Sequence, residues 1–219
     1  MTTEAIPAAT VILLRDRADG VETLLLRRNS KLGFGGGMWV FPGGRVDDDD
    51  HHADEEVAAR NAAVREAQEE AGLAVDADSL VPFAHWTPPT SAPTKRFSTW
   101  FFLAEAPATA VEIDGGEIVD HIWIRPGAAL GLHAAGEVEM MPPTFQSLTT
   151  IGEHDTVAEI LEAARRRGVP RFVTRIAMTD DGAVSLWEGD AGYESADVLA
   201  EGPRHRLVMG RLPWRYERD

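Results

Sequence analysis

An α/β or α+β sandwich, rather than a helical bundle, is the fold class this sequence predicts. Residues 8–14 (AATVILL) and 21–27 (VETLLLR) are short β-branched or apolar runs separated by the turn formers Asp19 and Gly20, the pattern of two strands joined by a short loop. A stretch rich in Ala and Glu follows, from about Asp54 to Ala71, with Ala63, Ala67 and Ala71 at i+4 steps and Val57 and Val64 one heptad apart, which is helical spacing. Two more strand-like runs, Ser79 to Trp86 and Phe97 to Ala104, flank the proline-rich segment TPPTSAPTKR. Strands joined by such loops around a helix are layers of a sandwich.

Taken in order, the first hairpin leads into GFGGGMWVFPGG at 33–44, where glycines flank a short apolar strand and Pro42-Gly43-Gly44 imposes an irregular turn. Asp47 to Asp50 with His51 and His52 reads as a solvated acidic loop, so that deleting part of it is expected to change stability little. The long helix ends at Gly72, a natural C′ residue. Ile118 to Ile124 reads as another strand and Ala128 to Leu132 as a second helix. MPPTF at 141–145 starts a third helix, since proline is tolerated in a first turn. Thr156 to Arg167 is a fourth: Thr156 caps it, Val157, Ile160, Leu161 and Ala164 form its apolar stripe, Arg165 to Arg167 complement its C-terminal dipole and Gly168 ends it. From 171 to 219, runs such as RFVTRIAM and RHRLVMG suggest strands in a C-terminal α+β extension.

The 219 residues carry a formal charge of −15 and are 44% hydrophobic. That length suits one large domain with an extension, divided here as 1–140 and 141–219. Zero Cys excludes disulfides, thiolate metal sites and a cysteine nucleophile, so a reducing cytoplasm is the expected location. The first sixteen residues have no basic leader, and nowhere are 18 apolar residues consecutive, so neither an export signal nor a membrane partner is expected. So acidic a surface repels phosphate backbones, and nucleic acid is not an expected partner. A phosphorylated small molecule would be handled through a metal cation.

The chemistry concentrates in Arg65-Glu66-Ala67-Gln68-Glu69-Glu70-Ala71-Gly72-Leu73. Glu66, Glu69 and Glu70 stand at i, i+3 and i+4, one face of a helix. Taken alone, such a triplet is ordinarily a solvated acidic face. Partly buried, it needs protons or a bound cation to offset like-charge repulsion. Oxygen ligands without Cys or His suit a hard divalent ion, Mg²⁺ or Mn²⁺. Pro42-Gly43-Gly44 lies upstream, where bare backbone can approach the same cation, with the Gly43 carbonyl as a candidate ligand.

These residues resemble the Nudix hydrolase signature: Gly, five residues, Glu, seven residues, then Arg-Glu-U-x-Glu-Glu-x-Gly-U, U being aliphatic. Arg65, Glu66, Glu69, Glu70, Gly72 and Leu73 match the second half, and Gly44 after Phe41-Pro42-Gly43 matches the start. Seven extra residues separate the halves. Counted back from Arg65 the first Glu falls on Val57, with Glu55 or Glu56 as nearby substitutes. The resemblance implies a Nudix-type α/β/α sandwich with a mixed sheet over roughly residues 5–135 and hydrolysis of a diphosphate linked to a further group X. It implies metal ligands at Glu66, Glu69 and Glu70, with Glu69 also catalytic, and an Arg65 that pairs with a carboxylate and orients the site. Glu117, in Asp114-Gly115-Gly116-Glu117, resembles the family's loop acid and is a candidate further ligand or general base, although a solvated turn has the same composition.

The segment from Leu24 to Arg28, with Leu32, Gly37 and Phe41 to Gly44, partly resembles a motif of coenzyme A diphosphatases in this family, as does the Trp86 to Phe97 stretch. Coenzyme A or its acyl esters are therefore the expected substrate, with Arg28, Lys95 and Arg96 as candidate phosphate contacts against an ordinary surface role. ADP-ribose and NADH are the enzymatic alternatives. A ligand-sensing Nudix-like module is the non-enzymatic one, which the retained glutamates disfavour. Trp187, Tyr193, Trp214 and Tyr216 make the extension too apolar to stay solvated, so it is expected to pack on the core or on a second copy, with a homodimer favoured.

Overall fold

In the computed structural model, which describes residues 5–33, 35–90 and 96–219, strand β1 (Ile6–Arg17) is the spine of the main sheet. It runs antiparallel to β2 (Gly20–Arg28) and, further back along the same edge, to β4 (Gly43–Arg45). On its other edge it runs parallel to β6 (Phe97–Glu105). β3 (Trp39–Val40) and β7 (Ile118–Ile124) both pair with β2. β5 (Val81–Thr87) continues the sheet beyond β6, and the short strand β8 (Arg171–Val173) lies parallel to β5 at the far edge. Eight strands thus form one mixed sheet.

Alternation along β1 divides the core in two. Ala9, Val11 and Leu13 face α1 (Glu55–Ala71), which meets them with Ala59, Ala62, Ala63, Ala67 and Ala71. A row of alanines lets helix and sheet approach closely. Asp54 accepts the Glu56 and Val57 N–H groups at the start of α1, and Gly72 ends it at φ 67°, a left-handed conformation that favours glycine. On the other face Ile12, Leu14, Leu25 and Phe101 pack with α3 (Pro142–Ile151) and α4 (Val157–Arg167) through Phe145, Leu148, Ile151 and Ile160. α2 (Pro126–Ala134) packs alongside α3. Helices on both faces of a mixed sheet make this an α/β/α sandwich. At α4, Thr156 and Glu159 form a reciprocal capping box.

The strand expected from Ser79 begins instead at Val81, because Asp76 caps a 3-10 turn over Ala77–Ser79. After β8 the chain folds into a second, four-stranded antiparallel sheet in the order β12-β11-β10-β9: β9 (Arg175–Thr179), β10 (Gly182–Leu186), β11 (His205–Val208) and β12 (Arg215–Arg218). Aromatic rings join the two sheets. Trp86 of β5 stacks on Phe172 of β8 at 4.0 Å between centroids, and the fully buried Trp187 stands edge-on to both. No helix among the described residues is long and apolar enough to cross a membrane.

Candidate active site

The site begins where β4 passes the middle of α1. Backbone at Gly43 lies so close to Ala9 and Thr10 that a side chain would overlap β1, and a methyl group on Gly44 would overlap the Glu66 carboxylate. Both glycines are therefore required by close approach. The Gly43 N–H donates to Glu70 Oε2 at 2.9 Å, which ties the turn to the helix. Gly44→Ala should leave the sheet intact and displace only the flexible end of Glu66. Activity should fall by an order of magnitude or more with little change in melting temperature, which parallel kinetics and calorimetry would read.

One turn of α1 sets the acids. Arg65 Nη1 donates to Glu66 Oε1 at 2.9 Å and to Glu69 Oε2 at 3.0 Å. Its Nη2 reaches the Arg45 carbonyl at 3.0 Å and Asp50 Oδ2 at 2.8 Å. Glu69 is mostly exposed, whereas Glu66 and Glu70 are buried deeply enough to titrate abnormally. Burial pushes Glu70 up to about 8, with the charges of Glu66 and Glu117 adding and the Gly43 hydrogen bond and Arg28 opposing. Burial also raises Glu66, only partly offset by Arg65, with Glu69 and Glu117 adding to the rise. Glu117 stands after a turn in which Asp114 accepts the N–H groups of Gly116, Glu117 and Ile118, and it pairs with Arg28 at 2.5 Å. Arg28 is largely buried, and its Nε has no partner among the described residues.

The structure corrects the reading of the acidic loop. Asp50 is 4% exposed and takes both Nε and Nη2 of Arg65. Burial would raise its pKa, but the Arg65 and Asp47 hydrogen bonds together with the charge of Arg65 outweigh that and hold it low. Neither substitute for the first signature acid serves that way: Glu56 pairs with Arg60, and Glu55 approaches Trp100 and His85. Asp50 stands six positions after Gly44, the spacing of the first Glu in the signature. The seven extra residues therefore fall between Asp50 and the body of α1, and counting forward from Gly44 would have found it. Asp50→Ala should free Arg65 and lower activity by about 10- to 100-fold, the usual range for a group that orients ligands. The steady-state rate of the variant at saturating Mg²⁺ checks this.

Arg28, Gly43, Arg65, Glu66, Glu69 and Glu117 all line one cavity of about 670 Å³, a volume typical of small-molecule sites. Arg96 donates to the carbonyls of Pro88 and Pro89 and so holds the loop after β5. Lys95 lies outside the described residues. Among the described residues no group of three or more acids or imidazoles is already arranged to hold a metal ion; Glu66 and Glu69 are gathered on the Arg65 guanidinium instead. The donor set nevertheless fits a hard cation: carboxylates that repel one another, Glu70 buried and Glu66 partly so, beside a glycine cradle that a Cβ would fill.

The NUDIX domain family profile matches residues 5–143. Human acyl-coenzyme A diphosphatase NUDT19 is 31% identical over 127 residues, which are 55% of this chain but 32% of that protein. The chain thus corresponds to about a third of the human relative's length. A Mycobacterium tuberculosis protein named "Putative 8-oxo-dGTP diphosphatase 3" is 29% identical over 203 residues, covering 84% of this chain and 78% of its own. Among solved structures, a NUDIX hydrolase from Alicyclobacillus acidocaldarius superposes with a TM-score of 0.68 at 22% identity, covering 74% of this chain and 97% of its own. At that identity the likeness speaks for the fold alone.

Proposed function

The chain belongs to the NUDIX domain family, and on that premise we propose that it is a divalent-metal-dependent hydrolase of a nucleoside diphosphate linked to X, with coenzyme A or acyl-coenzyme A as substrate. The observation that carries the reading is the convergence of Glu66, Glu69 and Glu117 with Arg28 and Arg65 on one cavity, backed by the buried Glu70. Glu66, Glu69, Glu70 and the Gly43 carbonyl would hold Mg²⁺ or Mn²⁺. Such a cation supplies charge neutralisation for the diphosphate oxygens and Lewis-acid activation of the attacking water.

The chain's own groups do the rest. Arg28 faces the diphosphate and binds its oxygens. Asp50 fixes Arg65, and Arg65 keeps Glu66 and Glu69 from swinging into solvent. Glu69 or Glu117 takes the proton of the water that attacks phosphorus. The new P–O bond forms as the P–O–P bridge breaks, leaving two phosphomonoesters, which for coenzyme A are 3′,5′-ADP and a phosphopantetheine.

Support for the coenzyme A class comes from the human relative and from the partly apolar cavity; the mycobacterial relative keeps oxidised nucleotides on the list to be tried, beside ADP-ribose and NADH. Chromatographic detection of the cleaved phosphomonoester products over this panel, with Mg²⁺ and with chelator, tests the reading. Chelation should abolish turnover, and coenzyme A esters should give the highest kcat/KM. Turnover that survives chelation, or hydrolysis of none of the panel, would overturn it. The homodimer is part of the same proposal, and sedimentation at micromolar concentration checks it.

A further inference from the structure

The cavity extends well beyond the acids, and its two ends differ in kind. Cross-strand register places Arg45, Ala8, Thr99 and Trp86 in one row across β4, β1, β6 and β5. Three strand spacings of about 4.8 Å put Trp86 about 14 Å from the acidic end. Every charged side chain described on the lining comes from β2, β4, the segment between β4 and α1, α1 itself, or Glu117. Among the described residues the far wall is neutral: Trp86 and Thr99 from the main sheet, Ile176 from β9, Ser185 from β10 and Met209 after β11. The second sheet thus closes the cavity end opposite the phosphate chemistry.

That wall also contains an unmet donor. Trp86 is 4% exposed, and its indole N–H has no hydrogen-bond partner among the described residues. A buried donor left unpaired costs about 1–3 kcal/mol; closed to solvent in this conformation, it meets a ligand acceptor once the ring shifts toward the cavity. Ser185 is held only by a 3.9 Å contact from its hydroxyl to Met209 Sδ, so it too can turn to a ligand.

We propose that the second sheet is a specificity element for this site: Ile176, Met209 and Trp86 form a subsite for a long, uncharged, largely apolar X group that brings a hydrogen-bond acceptor to the Trp86 indole N–H. The assignment rests on the hydrolase reading for the position of the diphosphate, and deepens it by naming the part of the substrate that is selected. Of the two arms of an anchored diphosphate, a 3′-phosphorylated nucleoside would bring charge to the neutral wall about 14 Å away, which leaves group X as the arm that suits it. An apolar chain with an amide or carbonyl fits that wall; a second charged group would lose its hydration there without a partner.

The test separates this subsite from the hydrolase reading. Pantetheine, an uncharged chain with two amides, serves as a probe that needs neither metal nor turnover, and calorimetry measures its binding. Met209→Trp and Ile176→Trp fill the far end, and Trp86→Phe removes the donor while keeping a ring on Phe172. Each of the three should weaken pantetheine tenfold or more. The two filling variants should also lower the ratio of kcat/KM for coenzyme A to that for ADP-ribose by at least tenfold, with melting temperatures checked so that a misfolded variant is set aside for the other. No pantetheine binding by the wild type, or binding and selectivity unchanged in the folded variants, would overturn the proposal. Pantetheine bound at this wall by a wild type that hydrolyses no diphosphate would sustain the subsite and sink the hydrolase reading.

Discussion

Glu69→Gln and Glu70→Gln should each lower turnover by about two to four orders of magnitude while the protein stays folded. The two should differ in their physical signature. Glu69 is mostly exposed and held only through Arg65, so its loss should fall on kcat with stability unchanged. Glu70 is buried, and burial pushes it up to about 8. Because its folded pKa lies above the unfolded value of about 4.3, the folded protein binds more protons between those limits, and metal-free stability falls as pH rises through that window. Gln removes the buried charge and can still accept the Gly43 N–H. Metal-free Glu70→Gln should therefore melt at or above the wild type at pH 8, and the two should converge near pH 4. Near wild-type turnover in both variants would remove the acids from the mechanism.

The same burial links metal to proton. If Glu70 ligates the proposed cation, binding displaces the proton that burial holds on it up to about pH 8, so Mg²⁺ affinity should climb as pH rises toward 8 and then level off. Calorimetry in buffers of different ionisation enthalpy reads the proton released.

Asp190→Asn should cost about 3–5 kcal/mol, because it leaves a buried guanidinium without its counter-charge. Asp190 and Arg206 are both almost fully buried in the C-terminal region. Asp190 accepts Arg206 Nε at 2.7 Å and Nη2 at 2.6 Å, and also the backbone N–H groups of His205 and Gly192, each at 2.8 Å. The third arm of Arg206 donates to the Val198 carbonyl, fastening the long connection between β10 and β11. Burial alone would raise the carboxyl, but the Arg206 and backbone hydrogen bonds outweigh it and hold it at about 2. The folded pKa therefore lies below the unfolded value of about 3.9, and the unfolded chain binds more protons between them. The resulting stability, about 2–3 kcal/mol by linkage, is complete above pH 4 and is lost as pH falls toward 2. At neutral pH the variant should melt roughly 10 °C lower, and the gap should narrow across that acid window. An unchanged melting temperature would show that the pair is not what holds this region.

What the sequence by itself determined was local. Asp54, the alanine rows and Gly72 specify α1 and its ends, and the spacing of Glu66, Glu69 and Glu70 puts three acids on one face, because helix geometry converts intervals directly into neighbours. The Thr156 cap and the stripe of α4 are legible for the same reason, while the reciprocal bond from Glu159 came with the structure. Tertiary structure alone decided the rest. The interval from Gly44 marks Asp50 as a candidate, but it sits in an acidic run that reads as solvated, and the return of that loop onto α1 is what buries it against Arg65. Asp190 and Arg206 are sixteen residues apart with no periodic relation, and Trp86 meets Ile176 and Met209 only because β8 joins the main sheet and carries the second sheet over the cavity. Burial, charge pairing and cavity walls depend on which distant segments come together, and that is settled by the packing of whole layers rather than by any interval along the chain.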